Sequence, residues 1–183
     1  LTSIVNILGL AVGISISIVV YLFLDFQYNQ DTFHENAENI FLVENITFQS
    51  GTEQLRGDSP APLGPALLTD FPQVIHAVRL NFSSGIVQYK GQEFRDSLRF
   101  VNKEFLDIFT FQLKAGNKSA LEDINAVVLT EEAAEKYFAG ENPLNKELSI
   151  TFGNMETKSF IVRGILEKLP VNSSFKFQIL LNF

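Results

Sequence analysis

The stretch IVNILGLAVGISISIVVYLFL, residues 4–24, decides the fold of this chain. It contains no charged side chain, and Asn6 is its only strongly polar one. At about 1.5 Å rise per residue, a helix of this length spans roughly 30 Å, the thickness of the hydrocarbon core of a bilayer. Lipid offers the backbone no hydrogen-bonding partners, so such a segment has to be helical. We therefore predict a transmembrane helix over residues 1–24.

The charges that follow this helix predict its orientation. Acidic residues come first, from Asp25 to Glu44, and the first basic residue is Arg56. Because cytoplasmic flanks of membrane helices tend to be basic, we expect the residues after about 25 to lie on the extracytoplasmic side. A cleaved signal peptide is the alternative. Its apolar core is normally shorter and ends at an A-x-A-like site, which does not follow Leu24.

Small residues recur every four positions in the predicted membrane helix. Gly9, Gly13 and Ser17 would share one helix face. Such a face lets a second membrane helix approach closely. Glycine is also frequent in membrane helices without this role, so both interpretations stay open. If the pattern is functional, the helix belongs to a bundle.

The bulk composition is that of a folded protein. Hydrophobic residues make up 46% of the chain and charged residues 19%, which argues against disorder. There are 18 Phe and no Trp, so we predict a core built on phenylalanine. The net charge of -7 and the lack of a basic cluster argue against a nucleic-acid partner. Leu1 is not an initiator methionine, and we expect both ends to be cut from a longer chain.

Chemical motifs are scarce. The absence of cysteine excludes disulfides, thiolate metal sites and a cysteine nucleophile. His34 lies among carboxylates, but its spacing matches no metal-ligand motif, and a hydrogen-bonding structural histidine is the better interpretation. His76 lies in a predicted strand without a recognisable partner. The sequence has neither a nucleophile elbow nor a P-loop. We therefore predict no catalytic, cofactor-binding or metal-binding residue, and no enzymatic activity.

Hydrophobic periodicity predicts an α+β domain after the membrane helix, with a mixed or antiparallel sheet and short helices. The predicted strands cover residues 40–48, 74–80, 86–89, 94–101, 126–129, 148–152, 160–166 and 175–183. Short helices are predicted near residues 63–71, 105–109 and 131–138. We expect a turn at residues 83–85 and a hairpin turn at 90–92. Asn102 and Thr130 are the predicted N-caps of the second and third short helices.

Ordered motifs along the whole chain resemble one family. The opening span is followed by Tyr28, by Asp31-x-Phe33-His34 and by an Ile-Phe-x-Val stretch at residues 40–43. Further stretches match in order at residues 102–116, 127–146 and 164–177. Together they resemble the MacB-like permeases of the FtsX superfamily of ABC transporters.

A few positions depart from the family pattern. Leu42 stands where an Arg is frequent, Asn145 where Gly is usual and Ser174 where His is common. These departures leave the subfamily and the substrate open.

The resemblance implies a permease subunit in the bacterial plasma (inner) membrane. Residues 25–183 would be a MacB-like periplasmic core domain. Such a subunit is a multi-pass protein in contact with membrane lipid, forms a homo- or heterodimer, and recruits a cytoplasmic ABC ATPase that binds the ATP. No cofactor is expected on this chain itself. ATP-driven motion would reach the extracytoplasmic domain, for export or for force transmission.

The resemblance also suggests roles for residues. Gly9, Gly13 and Ser17 would pack against other membrane helices. The segment that carries Tyr28, Asp31, Phe33 and His34 would couple the membrane helix to the domain. Two other classes remain open: an extracytoplasmic sensor domain held by a single helix, and an anchored adhesion or scaffold domain.

Overall fold

A long apolar helix leads into a domain of strands and short helices. The computed structural model describes residues 2–49 and 51–183. Helix α1 spans Thr2–Tyr28, and none of its side chains is buried. Its length is about 40 Å at 1.5 Å per residue. Within the described residues it is the one helix long and apolar enough to cross a membrane. The helix continues one turn beyond residue 24, so Asp25 is still helical.

Three short α-helices and nine strands follow α1 in the described part of the chain. The helices are α2 Leu63–Asp70, α3 Phe105–Ile108 and α4 Glu131–Phe138. The strands are β1 Asn45–Gln49, β2 Thr52–Arg56, β3 Leu80–Tyr89, β4 Gln92–Val101, β5 Leu113–Gly116, β6 Ala126–Thr130, β7 Glu147–Phe152, β8 Thr157–Leu166 and β9 Ile179–Asn182. Single turns of 3-10 helix cover Ala37–Asn39 and Lys118–Glu122. The chain thus has the predicted α+β class.

The strands form one large mixed sheet and one separate hairpin. Strands β1 and β2 pair only with each other, and the other seven lie in the order β5-β8-β6-β9-β4-β3-β7. Strand β7 also pairs with the first half of β8, which closes the sheet on itself. The β4–β9 and β6–β8 pairs are parallel, and the remaining pairs are antiparallel. The predicted mixed sheet is confirmed.

Buried side chains form two clusters on opposite sides of this sheet. Alternation along β6 separates them, because Val127 and Leu129 belong to one cluster and Val128 to the other. The first cluster includes the buried face of α4. The second is rich in phenylalanine and is called the Phe cluster below; its rings are Phe33, Phe105, Phe109, Phe111, Phe175 and Phe177. The first cluster also contains Phe138 and Phe160, so phenylalanine contributes to the core on both sides of the sheet, as predicted.

Helix α4 forms as its sequence predicts. The Thr130 hydroxyl oxygen accepts a hydrogen bond from the Ala133 N–H at 3.2 Å, the expected N-cap bond. The buried stripe is Ala133, Ala134, Tyr137 and Phe138. The Tyr137 hydroxyl donates to Asp96 at 2.6 Å and ties the helix to β4. Burial, then this bond, raises the pKa of Tyr137.

Three predicted strands are wrong in part. Residues 40–44, 74–79 and 175–178 are not strands; β1 starts at Asn45, β3 at Leu80 and β9 at Ile179. Ile40, Val78, Phe175 and Phe177 pack in the Phe cluster, whereas Phe41, Leu42 and Ile75 are exposed. Some apolar residues of these segments therefore pack in the core although the segments are not strands.

The turn predicted at residues 83–85 is also wrong. These residues lie inside β3, and Gly85 pairs with Asp96 on one side and Phe152 on the other. A Cβ at Gly85 would lie 2.8 Å from Leu98 Cδ1 and 3.0 Å from the Thr151 carbonyl oxygen. Glycine is present here because β7 approaches closely.

Asn102 does not cap α3 with its side chain. The Asn102 Oδ1 atom instead accepts hydrogen bonds from the backbone N–H and the Nε of Arg79, at 2.9 and 3.1 Å. The helix starts through the Asn102 carbonyl, which accepts from the Phe105 N–H. The Asn102 side chain, which the sequence predicted as the N-cap, therefore accepts its hydrogen bonds from Arg79 instead.

Candidate functional site

The segment between the membrane helix and the domain is the candidate site. We call residues 29–40 the junction. Helix α1 ends at Tyr28, and Asp31 adopts φ +57, a left-handed conformation that turns the chain. Asp and Asn tolerate this conformation better than most residues. The polar composition of the junction and this turn direct the chain from α1 onto the domain.

The start of the junction is hydrogen-bonded to residues near the far end of the chain. The Asp31 N–H donates to the Asn172 carbonyl at 3.0 Å. The Ser174 N–H donates to Asp31 Oδ1 at 2.8 Å. The Asn172 side-chain amide donates to the Asn29 carbonyl. These three bonds hold the first turn after α1 against the segment that leads into β9.

His34 provides a second attachment. Its side chain is only 4% exposed. The ring Nδ1 accepts a hydrogen bond from the Thr110 N–H at 3.0 Å, and the Glu35 N–H donates to the Thr110 hydroxyl oxygen at 3.1 Å. Two bonds therefore join the junction to the residue between Phe109 and Phe111.

Aromatic packing surrounds this attachment. The His34 ring centroid lies 4.0 Å from that of Phe33, 5.2 Å from both Phe109 and Phe111, and 6.1 Å from that of Phe175. Phe33 itself packs 5.8 Å from Phe111. Such ring pairs contribute about 0.5–1.5 kcal/mol each beyond their burial. The junction thus packs into the Phe cluster through Phe33 and His34. The cluster in turn packs against one face of the sheet.

Its hydrogen bond and its burial both favour the neutral form of the His34 ring. Because Nδ1 accepts a hydrogen bond, the proton of the neutral ring lies on Nε2. Burial lowers the pKa of His34, although the nearby Asp31 carboxylate acts in the opposite direction. The Nε2 atom is buried and has no partner within the described residues. A ring in this position suits packing and hydrogen bonding, as the sequence predicted.

Other predicted site residues lie elsewhere. Tyr28 is 82% exposed at the end of α1 and does not join the Phe cluster. Gly9 and Gly13 share a face of α1, and no atom lies within 4 Å of a Cβ added at either position. The Ser17 hydroxyl donates to the Gly13 carbonyl at 2.9 Å. The packing role of this face stays a prediction. His76 is exposed and lies outside any strand.

One buried charge was missed by sequence reasoning. Arg99 on β4 is 2% exposed, and its guanidinium lies 3.0 Å from the ring centroid of Phe82, its neighbour on β3. Burial lowers the pKa of Arg99 to about 10, so the group stays charged at neutral pH. In the strand predicted over residues 94–101, alternation with Leu98 and Phe100 facing inward would leave Arg99 facing solvent. Val101 lies on the same face of β4 as Arg99 and is apolar. That is the sequence feature that argued for a buried Arg99.

The chemistry available in this region is limited. The described residues contain no group of three or more His, Asp and Glu side chains that could hold a metal ion. The junction and the Phe cluster offer apolar contact, backbone hydrogen bonds and one buried imidazole. This arrangement can transmit displacement between the helix and the sheet.

Comparisons with known proteins agree with this architecture. The model of the family described as MacB-like periplasmic core domain matches residues 3–183. A domain of a protein described as a permease from Porphyromonas gingivalis is 26% identical, with a TM-score of 0.63 over 76% of this chain and 60% of that one. A comparison with curated proteins gives no match.

Two further solved structures are more distant. The periplasmic region of MacB from Actinobacillus actinomycetemcomitans is 24% identical, with a TM-score of 0.43 over 57% of this chain and 46% of that one. The extracellular domain of the noncanonical ABC-type transporter YknZ from Gram-positive bacteria is 20% identical, with a TM-score of 0.44 over 58% of this chain and 53% of that one. This chain thus spans about half to 60% of the length of these structures. The match over residues 3–183 and the helix-plus-sheet architecture show that the chain belongs to the MacB-like periplasmic core domain family.

Proposed function

We propose that this chain is the part of an ABC transporter permease subunit that couples a membrane helix to its extracytoplasmic domain. ATP hydrolysis takes place on a cytoplasmic ATPase partner. The resulting movement of the membrane helices reaches the domain through α1 and the junction. The domain then drives export or transmits force to another extracytoplasmic component. The chain itself supplies no catalytic group to this process.

The attachment of the junction is the observation that supports this proposal. A flexible tether would let α1 move without moving the domain. Here three hydrogen bonds fix residues 29–31 to residues 172–174, and His34 binds Thr110 within the Phe cluster. The two attachments lie on different segments of the domain, so a tilt of α1 would turn the domain with it.

The family and α1 support the remaining parts of the proposal. The family is that of periplasmic domains, and α1 is apolar along its whole membrane-spanning length. We propose further membrane helices beyond α1 and a homo- or heterodimer of permease subunits. The face formed by Gly9, Gly13 and Ser17 would pack against a neighbouring membrane helix.

A fluorescence experiment on the intact protein tests the coupling. Residues 1–183 contain no cysteine, so once any cysteine elsewhere in the intact protein is replaced, a single cysteine at the exposed Met155 can carry a donor or acceptor dye in each subunit of a dimer. With the ATPase bound in lipid nanodiscs, we expect ATP to change the energy transfer between the two domains. Phe33→Ala should weaken that change while ATPase binding is retained.

The matched control lies in the same segment. Glu38 has an exposed side chain in the 3-10 turn of the junction, so Glu38→Ala should leave the ATP-dependent change intact. An unchanged ATP response in Phe33→Ala would contradict coupling through the junction. The absence of any ATP response in the wild type, with the ATPase bound, would contradict the proposed function as a whole.

A further inference from the structure

Among the described residues, the buried basic side chains are His34 and Arg99, and His34 is the one imidazole. We propose that His34 makes the junction a pH-sensitive latch: protonation of its ring releases the junction from residues 109–111. This inference rests on the coupling role proposed above, because a latch matters only if the junction transmits motion. It adds regulation to that role, since acid outside the membrane would loosen the link between α1 and the domain.

The hydrogen bond to Thr110 is the first reason. In the neutral ring, Nδ1 accepts from the Thr110 N–H at 3.0 Å. In the protonated ring both nitrogens carry hydrogen. Two donors would then face each other at this position, and the bond could not persist. The Glu35 N–H bond to the Thr110 hydroxyl lies beside it and depends on the same approach of the two segments.

The surroundings of the ring are the second reason. The rings of Phe109, Phe111 and Phe175 meet the His34 ring at interplanar angles of 64°, 83° and 85°. The ring is buried and its Nε2 has no partner within the described residues. A charge placed in such a site loses its hydration without gaining a hydrogen-bond acceptor, which is costly.

The charged groups near the ring do not cancel this cost. Asp31 and Glu35 lie on the same segment, Asp107 on α3, Lys176 next to Phe175, and Arg99 on β4 with its guanidinium 5.9 Å from the Phe175 ring. Of these, the Asp31 carboxylate favours a charged His34, but burial outweighs it and the pKa of His34 is lowered.

The direction of the pH response follows from this lowered pKa. A released ring in water has a pKa of about 6.5, so the released state takes up a proton at a higher pH than the attached state does. Attachment is therefore at full strength above about pH 6.5. It weakens as the pH falls from there towards the lowered pKa of the attached ring, by up to tenfold per pH unit.

Amide hydrogen exchange on the full chain in lipid nanodiscs tests the latch directly. Protection factors, corrected for the intrinsic pH dependence of exchange, are measured at pH 7.5 and pH 5.0. We expect the protection of the Thr110 and Glu35 amides to fall at the lower pH, by up to about thirtyfold for a released ring with a pKa of about 6.5. The Val128 amide in β6 serves as an internal reference and should keep its protection.

Two variants separate His34 from other titrating groups. His34→Asn keeps an acceptor near the position of Nδ1 but does not titrate, so the Thr110 amide should be protected equally at both pH values. His76→Asn removes the other, exposed histidine and should respond like the wild type. A pH-independent Thr110 amide in the wild type, or a His34→Asn variant that still loses protection in acid, would overturn the latch.

A direct titration of the His34 ring tests the latch even if the junction of the His34→Asn variant does not attach to residues 109–111. The ring resonances of His34 in the His76→Asn chain give its pKa by NMR. A pKa below that of a free histidine supports the latch, and a pKa at or above that value overturns it. The latch can fail in this way while the junction still moves rigidly with the domain at pH 7.5, so its failure differs from failure of the proposed function.

Discussion

At the scale of single residues, Asp31 determines how the chain leaves the membrane helix. Its left-handed backbone makes the turn, and its Oδ1 accepts the hydrogen bond from the Ser174 N–H at 2.8 Å. The sequence identified Asp31 as part of a coupling motif through resemblance. It could not identify Ser174 as the partner, because the two residues are 143 positions apart.

Substitutions at Asp31 should separate its two contributions. Asp31→Ala loses the acceptor and strains the left-handed turn, so we expect about 1–3 kcal/mol lower free energy of unfolding. Asp31→Asn keeps an acceptor oxygen and tolerates the turn, so it should lose less than half as much. Chemical denaturation of the full chain in detergent micelles measures both. Equal losses in the two variants would contradict this account of Asp31.

Thr130 is a residue whose role could be predicted from local sequence. Its hydroxyl oxygen accepts from the Ala133 N–H, and its hydroxyl donates to Gln178 Oε1 at 2.6 Å. Thr130→Ala removes both bonds and should lower the free energy of unfolding by about 1–2 kcal/mol. Thr130→Ser keeps the hydroxyl and should stay close to the wild type in the same denaturation experiment. An unchanged free energy of unfolding in Thr130→Ala would contradict the capping role of Thr130.

At the scale of elements, the sequence correctly predicted the helices and strands whose stabilising contacts lie close in the chain. The β3–β4 hairpin at residues 90–92 and helix α4 were both predicted from sequence. Residues 74–79 and 175–178 were predicted as strands from their apolar side chains. Val78, Phe175 and Phe177 pack in the Phe cluster instead, and the cluster is assembled from distant segments that local reasoning cannot bring together.

The close approach of β7 to β3 can be tested at Gly85. A Cβ there would lie 3.0 Å from the Thr151 carbonyl oxygen, a backbone atom that cannot rotate away. Gly85→Ala should therefore destabilise the domain by about 1–3 kcal/mol. Gly153→Ala is the matched control, since no atom lies within 4 Å of a Cβ there. Comparable thermal stability of the two variants would show that β7 does not pack this closely.

The packing role of the small-residue face of α1, formed by Gly9, Gly13 and Ser17, stays a prediction. We expect Gly13→Leu to disrupt assembly of the membrane helices while the extracytoplasmic domain stays folded. Ala11→Leu makes a similar increase in size on the opposite face of α1 and should be tolerated. Crosslinking and size-exclusion chromatography of the intact protein measure assembly. Normal assembly and activity in Gly13→Leu would show that the small-residue face is incidental.

At the scale of the whole molecule, the sequence predicted a membrane helix, a mixed-sheet domain and a coupling segment between them. The fold class follows from periodicity, and the position of the coupling segment follows from resemblance. The attachment of that segment could not be predicted, because it depends on residues 109–111 and 172–175 reaching the same place as residues 29–40. The central claim is that this attachment makes α1 and the domain move as one body.

Pulsed electron–electron resonance between two spin labels tests this claim most directly. Tyr28 and Met155 are both exposed, and each can be replaced by a labelled cysteine in a cysteine-free variant of the intact protein; residues 1–183 contain no cysteine. In dimers in which only one subunit carries the two labels, at pH 7.5 in lipid nanodiscs, we predict one narrow distance distribution that ATP and the bound ATPase leave unchanged. Phe33→Ala should broaden it, while Glu38→Ala should not. A broad distribution in the wild type, or one that shifts with ATP, would contradict rigid coupling through the junction.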